Sequence, residues 1–244
     1  MDYTTVQSNR ELRAEARRQL KGVWGKMALA YLVFLLINAS LLFVFQRVPE
    51  SSLPVWLGAS SLLDLAFRLW GPQYNPALYM LTNVAYSILA GVFFLGFAGY
   101  FLHRVRGKEI ALGQIFHGFK RFLPCVAMTF ISAVFIILWA LLLIVPGILK
   151  SIGYSMAYYV MHDNPGIKPH QALRKSDVMM YGHRWRFVKL WISFIGWFLL
   201  TLPTFGIGIL WLQPYIQLSI ANFYENIKAI QAENEAQTQA LTEE

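Results

Sequence analysis

The stretch QALRKSDVMMYGHRWRFVKLWISFIGWFLL, residues 171–200, joins a dense basic cluster to a long apolar run. Its first half is rich in Arg, Lys and His, and no charged residue follows Lys189 until Glu225. This pattern is typical of a charged site beside a core helix, of a nucleic-acid-binding arm, or of the place where a chain enters a membrane. The distribution of charge along the whole chain distinguishes between these interpretations.

The chain as a whole is apolar and poor in charge. Of its 244 residues, 57% are hydrophobic and 14% are charged, whereas soluble domains average about 25% charged residues. Four stretches hold no charged residue: 27–46, 74–102, 122–149 and 190–224. Uncharged apolar stretches of about 18 residues or more are typical of membrane-spanning helices. We therefore expect an all-α, polytopic membrane helix bundle.

The net charge of +8 is confined to three clusters, each beside an apolar run. Segments 1–26, 103–121 and 162–186 hold six, five and five Lys or Arg residues, whereas 46–76 holds two, balanced by two acidic residues. Because Lys and Arg accumulate in short cytoplasmic segments, we expect the three clusters inside and 46–76 outside. No continuous basic stripe accompanies them, which argues against binding to nucleic acid.

Two of the apolar runs are too long to be single spans. Residues 122–161 would form a helix of about 60 Å, twice the hydrocarbon thickness, and Pro146-Gly147 in its middle can supply a turn. Run 190–224 would measure about 52 Å, and Pro203 can break it. We predict six spans with both termini cytoplasmic: 24–45, 78–102, 122–145, 148–162, 186–202 and 207–228. The alternative treats 190–224 as one kinked span and places the C-terminus outside.

Three segments share one order of features: an amphipathic helix, a glycine with basic or aromatic residues, and then an apolar run. They are ELRAEARRQLKGVWGKM, IALGQIFHGFKRFLP and HQALRKSDVMMYGHRWRF. In the second, Leu112, Ile115, Phe116 and Phe119 recur at helical spacing. We predict a single transmembrane domain, 1–230, with a threefold repeat of units 9–102, 110–162 and 169–228. Residues 231–244 are predicted to be a polar, disordered tail.

Each amphipathic helix is predicted to lie at the cytoplasmic lipid surface and to precede a helical hairpin. Its basic residues would then be close to anionic headgroups, and the glycine would permit the bend into the bilayer. The predicted interfacial anchors are Trp24, Lys26, Lys120, Arg121, Arg184, Trp185 and Arg186. By this interpretation the basic cluster in 171–200 marks a membrane boundary, and a specific headgroup site is the alternative.

The second arm of the middle hairpin carries polar side chains at every fourth position, which places them on one helix face. These residues are Lys150, Tyr154, Tyr158 and His162, bordered by Ser151 and Ser155. A similar stripe in the last span consists of Gln213, Gln217 and Glu225. The stripes predict either hydrogen bonds between helices or a polar cleft that accepts a lipid headgroup or an amphipathic solute.

Catalytic, metal-binding and cofactor-binding motifs are missing from the sequence. The five histidines form no HxxxH or HExxH pattern, and a single cysteine cannot build a cysteine cluster. We therefore expect neither a cofactor nor enzymatic activity. A protein that engages membrane lipids, with anionic headgroups as partners, is the favoured function. A small transporter or exporter, and a scaffold or assembly factor that recruits proteins, are the alternatives, and oligomerisation is open.

Four segments of the chain resemble a known bacterial family. They are LRAEARRQLKGVWG, KSIGYSMAYYVMHDNP, GHRWRFVKLWISFIGWFLL and LWLQPYIQLSIANFYE, and together they resemble the integral membrane family called domain of unknown function 975. A looser likeness exists to the membrane domain of some glycerophosphodiester phosphodiesterases. The resemblance implies a protein of the bacterial cytoplasmic membrane with about six spans, and it implies no catalytic residues.

Overall fold

The computed structural model describes residues 6–45, 76–204 and 206–243, and this part of the chain is helical without any strand. The α-helices are α1 Asn9–Leu20, α2 Trp24–Phe45, α3 Pro76–Val105, α4 Phe122–Leu142, α5 Ile144–Gly153, α6 Ala157–Asp163, α7 Pro169–Met180, α8 Arg184–Ile192, α9 Ile195–Thr201 and α10 Ile209–Glu243. Shorter 3₁₀ helices occupy Leu112–Arg121, Tyr154–Met156 and Leu202–Thr204. The segment predicted to be external, 46–76, lies almost wholly outside the described residues.

The chain divides into two compact units. One comprises Met1–Leu32 with Gly91–Glu244, and the other comprises Val33–Ala90. In the smaller unit, the described residues belong to the end of α2 and the start of α3. In the larger unit, α10 forms much of the core, and its Ile216, Leu218 and Phe223 side chains are fully buried.

Helix α1 begins with a capping box and packs its apolar face against the protein. The Glu11 amide donates to Ser8 Oγ at 3.3 Å, and the Ser8 amide donates to Glu11 Oε2 at 2.7 Å, so both amides are satisfied. Leu12, Ala16 and Leu20 are fully buried, and α1 packs on α10. The chain itself therefore covers the face that the sequence predicts to lie on lipid.

The turns that follow α1 and α7 have the same backbone geometry. Gly22 and Gly182 have φ angles of 78° and 80°, a left-handed conformation that strains other residues. Lys21 and Tyr181 before them both have ψ of 130°. In each turn the amide after the glycine donates to the carbonyl of the last helical residue at 3.0 Å. The first and third predicted repeat units therefore share this turn.

The middle unit differs, so the threefold repeat is not confirmed. The 3₁₀ helix Leu112–Arg121 continues into α4 without a glycine turn. Because a 3₁₀ helix repeats every three residues, Ile115 and Gly118 share its buried side. Phe116 and Phe119, predicted to share an apolar face with Ile115, are each 42% exposed.

Two glycines set the position of this 3₁₀ helix against α3. A β-carbon at Gly118 would overlap the Val92 carbonyl oxygen, and one at Gly96 would overlap the Ile115 carbonyl oxygen. Small residues allow two helical backbones to approach closely. The close contact between α3 and the 3₁₀ helix therefore depends on Gly96 in α3 and on Gly118 in the 3₁₀ helix.

The middle hairpin turns at Leu143, three residues before the predicted turn at Pro146-Gly147. Leu143 is extended, with φ of −160° and ψ of 137°. Pro146 lies in the first turn of α5, where its missing amide proton breaks no helical hydrogen bond. A β-carbon at Gly147 would meet the Ala140 Cα at 2.8 Å, so Gly147 permits the close contact of α4 with α5.

The second arm of the hairpin is longer than predicted and is kinked. It runs through α5, the 3₁₀ turn Tyr154–Met156 and α6, a length of about 30 Å. The Ser176 hydroxyl of α7 donates to the Gly153 carbonyl at 2.6 Å and accepts from the Met156 amide at 3.2 Å. A side chain inserted into the helical hydrogen-bond ladder is a known cause of kinks.

The predicted break near Pro203 is present. Helix α9 ends at Thr201, a 3₁₀ turn follows, and Gly206 has φ of 83° before α10 begins at Ile209. Helix α10 then continues to Glu243, although the sequence predicts a disordered tail from residue 231. The tail is exposed but rich in Ala, Gln and Glu, which are good helix formers and extend a helix that the core has already nucleated.

Two helical stretches, Asn83–Val105 and Leu112–Leu142, are long and apolar enough to cross a membrane. A third is counted if Asn9–Leu20 and Trp24–Ile37, bent by 97°, form one span. In Leu112–Leu142 only 11% of the residues in the most apolar 18-residue segment are buried, so most of its apolar side chains face away from the protein. Six spans are therefore not confirmed within the described residues. What is confirmed is that the chain has apolar helices suited to a membrane.

Candidate functional site: a cavity between four helices

The larger unit contains a cavity of about 450 Å³ between α3, the α5–α6 arm, α8 and α10. Its wall is mostly apolar and includes Phe97, Phe187 and Ile220. At its edge Phe94 and Trp191 are 47% and 43% exposed, so the cavity opens onto the outer surface of the helices. A volume of this order and a mainly apolar wall are typical of small-molecule sites.

The polar side chains that line the cavity are all uncharged. They are Ser151, Ser155, Tyr158, Tyr159 and Gln217. The Tyr158 hydroxyl is 2.9 Å from Thr129 Oγ1, and Ser151 Oγ donates to a backbone carbonyl at 2.8 Å. Ser155 Oγ is buried and forms no hydrogen bond with any described residue. Because an unpaired buried hydroxyl costs about 1–3 kcal/mol, a ligand that bonds Ser155 would recover that energy.

Lys150 of the predicted stripe is paired with an acidic residue of α7. Lys150 Nζ donates to Asp177 Oδ2 at 2.6 Å, and Arg184 Nη2 donates to Asp177 Oδ1 at 2.5 Å. Lys150 Nζ also lies 5.5 Å from the centre of the Trp139 ring. Tyr154, one turn further along the arm, is half-buried and does not line the cavity. Lys150 is therefore paired within the protein, in a trio whose single carboxylate it shares with Arg184.

Glu225 belongs to an ionic cluster where the ends of α3 and α6 lie beside the middle of α10. Arg106 Nη2 lies 2.7 Å from Asp163 Oδ2 and 2.6 Å from Glu225 Oε1. Lys228 Nζ lies 2.5 Å from the same Asp163 oxygen. The cluster connects three helices that are far apart in sequence.

His162 and Tyr224 complete the surroundings of Asp163. His162 Nδ1 is 3.6 Å from Asp163 Oδ1, and the Tyr224 hydroxyl donates to Asp163 Oδ2 at 3.1 Å. Burial alone would raise the pKa of Asp163, but interactions with His162, Arg106 and Lys228 outweigh it and hold that pKa well below its usual range. Asp163 is therefore ionised at neutral pH.

The two predicted polar stripes meet in two separate places. Tyr158 and Gln217 line the cavity, whereas His162 and Glu225 lie at the ionic cluster. Gln213 is half-buried on α10 and does not line the cavity. That these stripes bind a ligand stays a prediction.

Sequence reasoning missed the residues that α8 contributes to the cavity. Phe187 and Trp191 are four residues apart and therefore share a helix face. Their spacing was a signal, but an aromatic stripe at helical spacing equally indicates contact with lipid or with the protein core. Asp177 was also missed as the partner of Lys150, although it is the one acidic residue within the basic cluster of 171–200.

The predicted interfacial anchors separate by residue type. Arg121 Nη1 donates to the Met161 carbonyl at 2.6 Å, and Arg186 Nη2 donates to Asn226 Oδ1 at 2.6 Å. With Arg184, all three arginines therefore bind other parts of the protein. The remaining anchors are exposed or half-buried: Trp24, Lys26, Lys120 and Trp185.

The described residues contain no group of three His, Cys, Asp or Glu side chains that could hold a metal ion. Cys125 is buried, and its thiol lies 3.8 Å from the Gly118 carbonyl oxygen. The chemistry that the cavity offers is therefore hydrogen bonding next to an extended apolar wall.

These features define a helical protein with apolar helices suited to a membrane and an open cavity between them. The chain belongs to the family described as "Protein of unknown function (DUF975)", whose model matches residues 1–152 and 141–231. This confirms the resemblance seen in the sequence. Neither a curated protein nor a solved structure matches the chain. The likeness to glycerophosphodiester phosphodiesterases finds no support in these comparisons.

Proposed function

We propose that this protein is a non-enzymatic, polytopic protein of the bacterial cytoplasmic membrane that holds an amphipathic molecule in the cavity between α3, α5–α6, α8 and α10. The single observation that carries the proposal is the buried, unpaired Ser155 hydroxyl in an apolar cavity that opens onto the outer surface. A lipid could enter such a cavity from the bilayer side.

The helix lengths support six spans. The kinked arm from Ile144 to Asp163 reaches about 30 Å, the thickness of the hydrocarbon core. Its 3₁₀ turn interrupts the helix, so it contains no uninterrupted helix of spanning length. Helices α8 and α9 form a similar interrupted arm before α10. Six spans, with the basic clusters on the cytoplasmic side, would leave both termini in the cytoplasm, and the excess of Lys and Arg in these clusters supports that orientation.

The lining of the cavity supports a ligand whose polar part is uncharged. Among the described residues no charged side chain lines the cavity, and an anionic group buried without a cation would carry a large desolvation penalty. Lys150, the nearest candidate cation on the predicted stripe, is paired with Asp177. Hydroxyl, ester or amide groups attached to an acyl or isoprenoid chain fit these surroundings.

The proposal is tested by native mass spectrometry of the full-length protein extracted with its membrane lipids. Gln217→Leu and Ser155→Val remove hydrogen-bonding groups from the cavity without adding charge. We expect the wild type to retain a neutral amphipathic molecule and both variants to retain about tenfold less, the effect of losing one good hydrogen bond.

Gln213→Leu is the matched control, because Gln213 is also half-buried on α10 but lies outside the cavity. It should retain the molecule at the wild-type level. Equal retention by Gln213→Leu and Gln217→Leu, with both proteins folded by their melting temperatures, would contradict the proposal. If Ser155→Val retains the neutral molecule at the wild-type level, the role assigned to Ser155 is contradicted.

A further inference from the structure

A second cavity, of about 230 Å³, lies where the 3₁₀ helix Leu112–Arg121 meets the end of α6. Four of its lining side chains are basic or imidazole: His117, Lys120, Arg121 and His162. Leu95 and Pro165 complete the lining, and no carboxylate of the part of the chain that the structure describes takes part in it. The chemistry of this cavity therefore contrasts with the uncharged lining of the larger one.

The 3₁₀ geometry is what gathers these groups. With three residues per turn, His117 and Lys120 lie directly above one another on one side of the helix. Arg121 lies on the buried side below Gly118 and donates to the Met161 carbonyl at 2.6 Å. This bond fixes the end of α6, and with it His162, beside the 3₁₀ helix.

Three of the four basic or imidazole side chains of this cavity have no acidic partner among the described residues. Within the described ranges, His117, Lys120 and Arg121 form no ion pair, whereas Arg106 and Lys150 each do. His162 does lie 3.6 Å from Asp163, but that carboxylate is already shared by Arg106 and other donors. The cavity therefore presents positive charge that the protein does not neutralise.

An apolar surface begins next to the cavity and continues along α4. Phe119 and Phe122 are each 42% exposed, and Leu123 is 77% exposed. Further along the same helix Phe130 is 69% exposed. A molecule whose anionic group binds Lys120 can therefore place its apolar chain against the exposed side chains of α4 at the same time.

We propose that this cavity binds the phosphate of an anionic phospholipid whose acyl chains lie along α4. The shared chemistry of phosphate binding would also accept free inorganic phosphate, but the adjoining apolar face favours the lipid. This site is separate from the neutral cavity and does not depend on what occupies that cavity.

The test uses full-length protein in mixed micelles with equimolar phosphatidylglycerol and phosphatidylcholine, and native mass spectrometry measures the ratio of the two bound lipids. Lys120→Gln should lower the bound ratio of phosphatidylglycerol to phosphatidylcholine about fivefold, the effect expected for one surface cation. The matched control is Lys175→Gln on α7, an exposed lysine outside the cavity. It measures what a surface cation outside the cavity contributes, and it should lower the ratio less than Lys120→Gln does.

Two further measurements separate the lipid from free phosphate. Leu123→Ser should also reduce bound phosphatidylglycerol, and excess inorganic phosphate should not displace it. Displacement by inorganic phosphate with no effect of Leu123→Ser would overturn the lipid assignment. Equal ratios for Lys120→Gln and Lys175→Gln would overturn the site itself, and both exposed positions tolerate glutamine without loss of packing.

Discussion

At the scale of single residues, Asp177 of α7 connects three helices of the larger unit, α5, α7 and α8. It accepts from Lys150 of α5 and from Arg184 of α8, whose side chains are 27% and 23% exposed. A β-carbon at Gly153 would overlap its Oδ1 atom, so glycine is needed at that position of α5. The position of this carboxylate therefore depends on two cations and on the absence of a side chain at residue 153. None of these three residues is adjacent to Asp177 in sequence.

Asp177→Asn should destabilise the protein more than Lys150→Met does. Loss of the carboxylate leaves two partly buried cations unpaired, and we expect about 2 kcal/mol, between the values for exposed and buried ion pairs. Lys150→Met leaves Asp177 paired with Arg184 and should cost less than about 1 kcal/mol. Denaturant unfolding in detergent micelles measures both.

Glu109→Gln is the control for loss of one negative charge, because Glu109 is exposed and forms no ion pair with a described residue. It should leave the free energy of unfolding unchanged. The opposite order, with Lys150→Met the more destabilising substitution, would show that Lys150 has a role beyond its pair with Asp177.

At the scale of elements, the helix–turn–helix junctions after α1 and α7 are the clearest internal similarity. Each joins an amphipathic helix whose apolar face is buried to the next helix, through a glycine in the left-handed region. The next helix is the long apolar α2 in the first case and the nine-residue α8 in the second. The middle unit reaches the same connection without a turn, because its 3₁₀ helix continues directly into α4. Similar sequence segments therefore adopt two different local structures.

Gly182→Ala should destabilise the protein by about 1 kcal/mol, since an L side chain is strained at positive φ. A β-carbon there meets nothing within 4 Å, so the effect comes from the backbone alone. Gly22→Ala should have the same effect for the same reason. Thermal unfolding in one detergent compares the two variants with the wild type.

Gly25→Ala is the matched control for these substitutions. Gly25 lies in the first turn of α2, and a β-carbon there also meets nothing within 4 Å. Alanine should be neutral or stabilising at this helical position. A destabilisation equal to that of Gly22→Ala would mean that positive φ is not the cause.

At the scale of the whole molecule, the Asp163 cluster joins α3, α6 and α10 on the side predicted to be cytoplasmic. Because the pKa of Asp163 is lowered in the folded protein, its interactions stabilise the fold above the pKa of an unfolded aspartate, about 3.9. That contribution is lost as the pH falls through the lower, folded pKa. The charged end of the helices is therefore sensitive to acid.

Asp163→Asn should destabilise the protein at pH 7, and the difference from wild type should shrink below about pH 4. The expected change is about 1.4 kcal/mol per pH unit, since the unfolded carboxylate is then protonated and the folded one is not. Unfolding curves at pH 7, 5, 4 and 3 (about one-unit steps across the window) measure the difference. A difference that is constant down to pH 3 would contradict a lowered pKa.

The proposed six-span topology would place Lys175 and Ala240 in the cytoplasm and Ser60 outside. In a Cys125→Ser background, Ser60→Cys should react with a membrane-impermeant maleimide in intact cells. Lys175→Cys and Ala240→Cys should react only after permeabilisation. Labelling of Lys175→Cys in intact cells would overturn the six-span arrangement. Labelling of Ala240→Cys together with Ser60→Cys, but not of Lys175→Cys, would favour the single kinked final span.

The sequence by itself determined the helical, apolar class of the protein and the positions of several breaks. Long uncharged runs predict membrane helices wherever they occur, and Pro203 interrupts α9–α10 because a proline cannot donate its backbone amide. Bends at Gly22 and Gly182 were also predictable, because a glycine adopts left-handed backbone angles that other residues avoid. Such features depend only on neighbouring residues, so the sequence contains all the information that they require.

Only the tertiary structure decided which polar groups meet and which remain unpaired. The kink at Tyr154–Met156 depends on Ser176, and the pairing of Lys150 depends on Asp177, both in a different helix. The 3₁₀ form of Leu112–Arg121 accompanies a close approach to α3 that glycine permits. Helical periodicity defines which residues share a face, but it does not define what that face contacts. Lys150 and Tyr158 share a predicted face, yet one binds a carboxylate and the other lines the cavity, because the α5–α6 kink separates them and different helices pack beside each half.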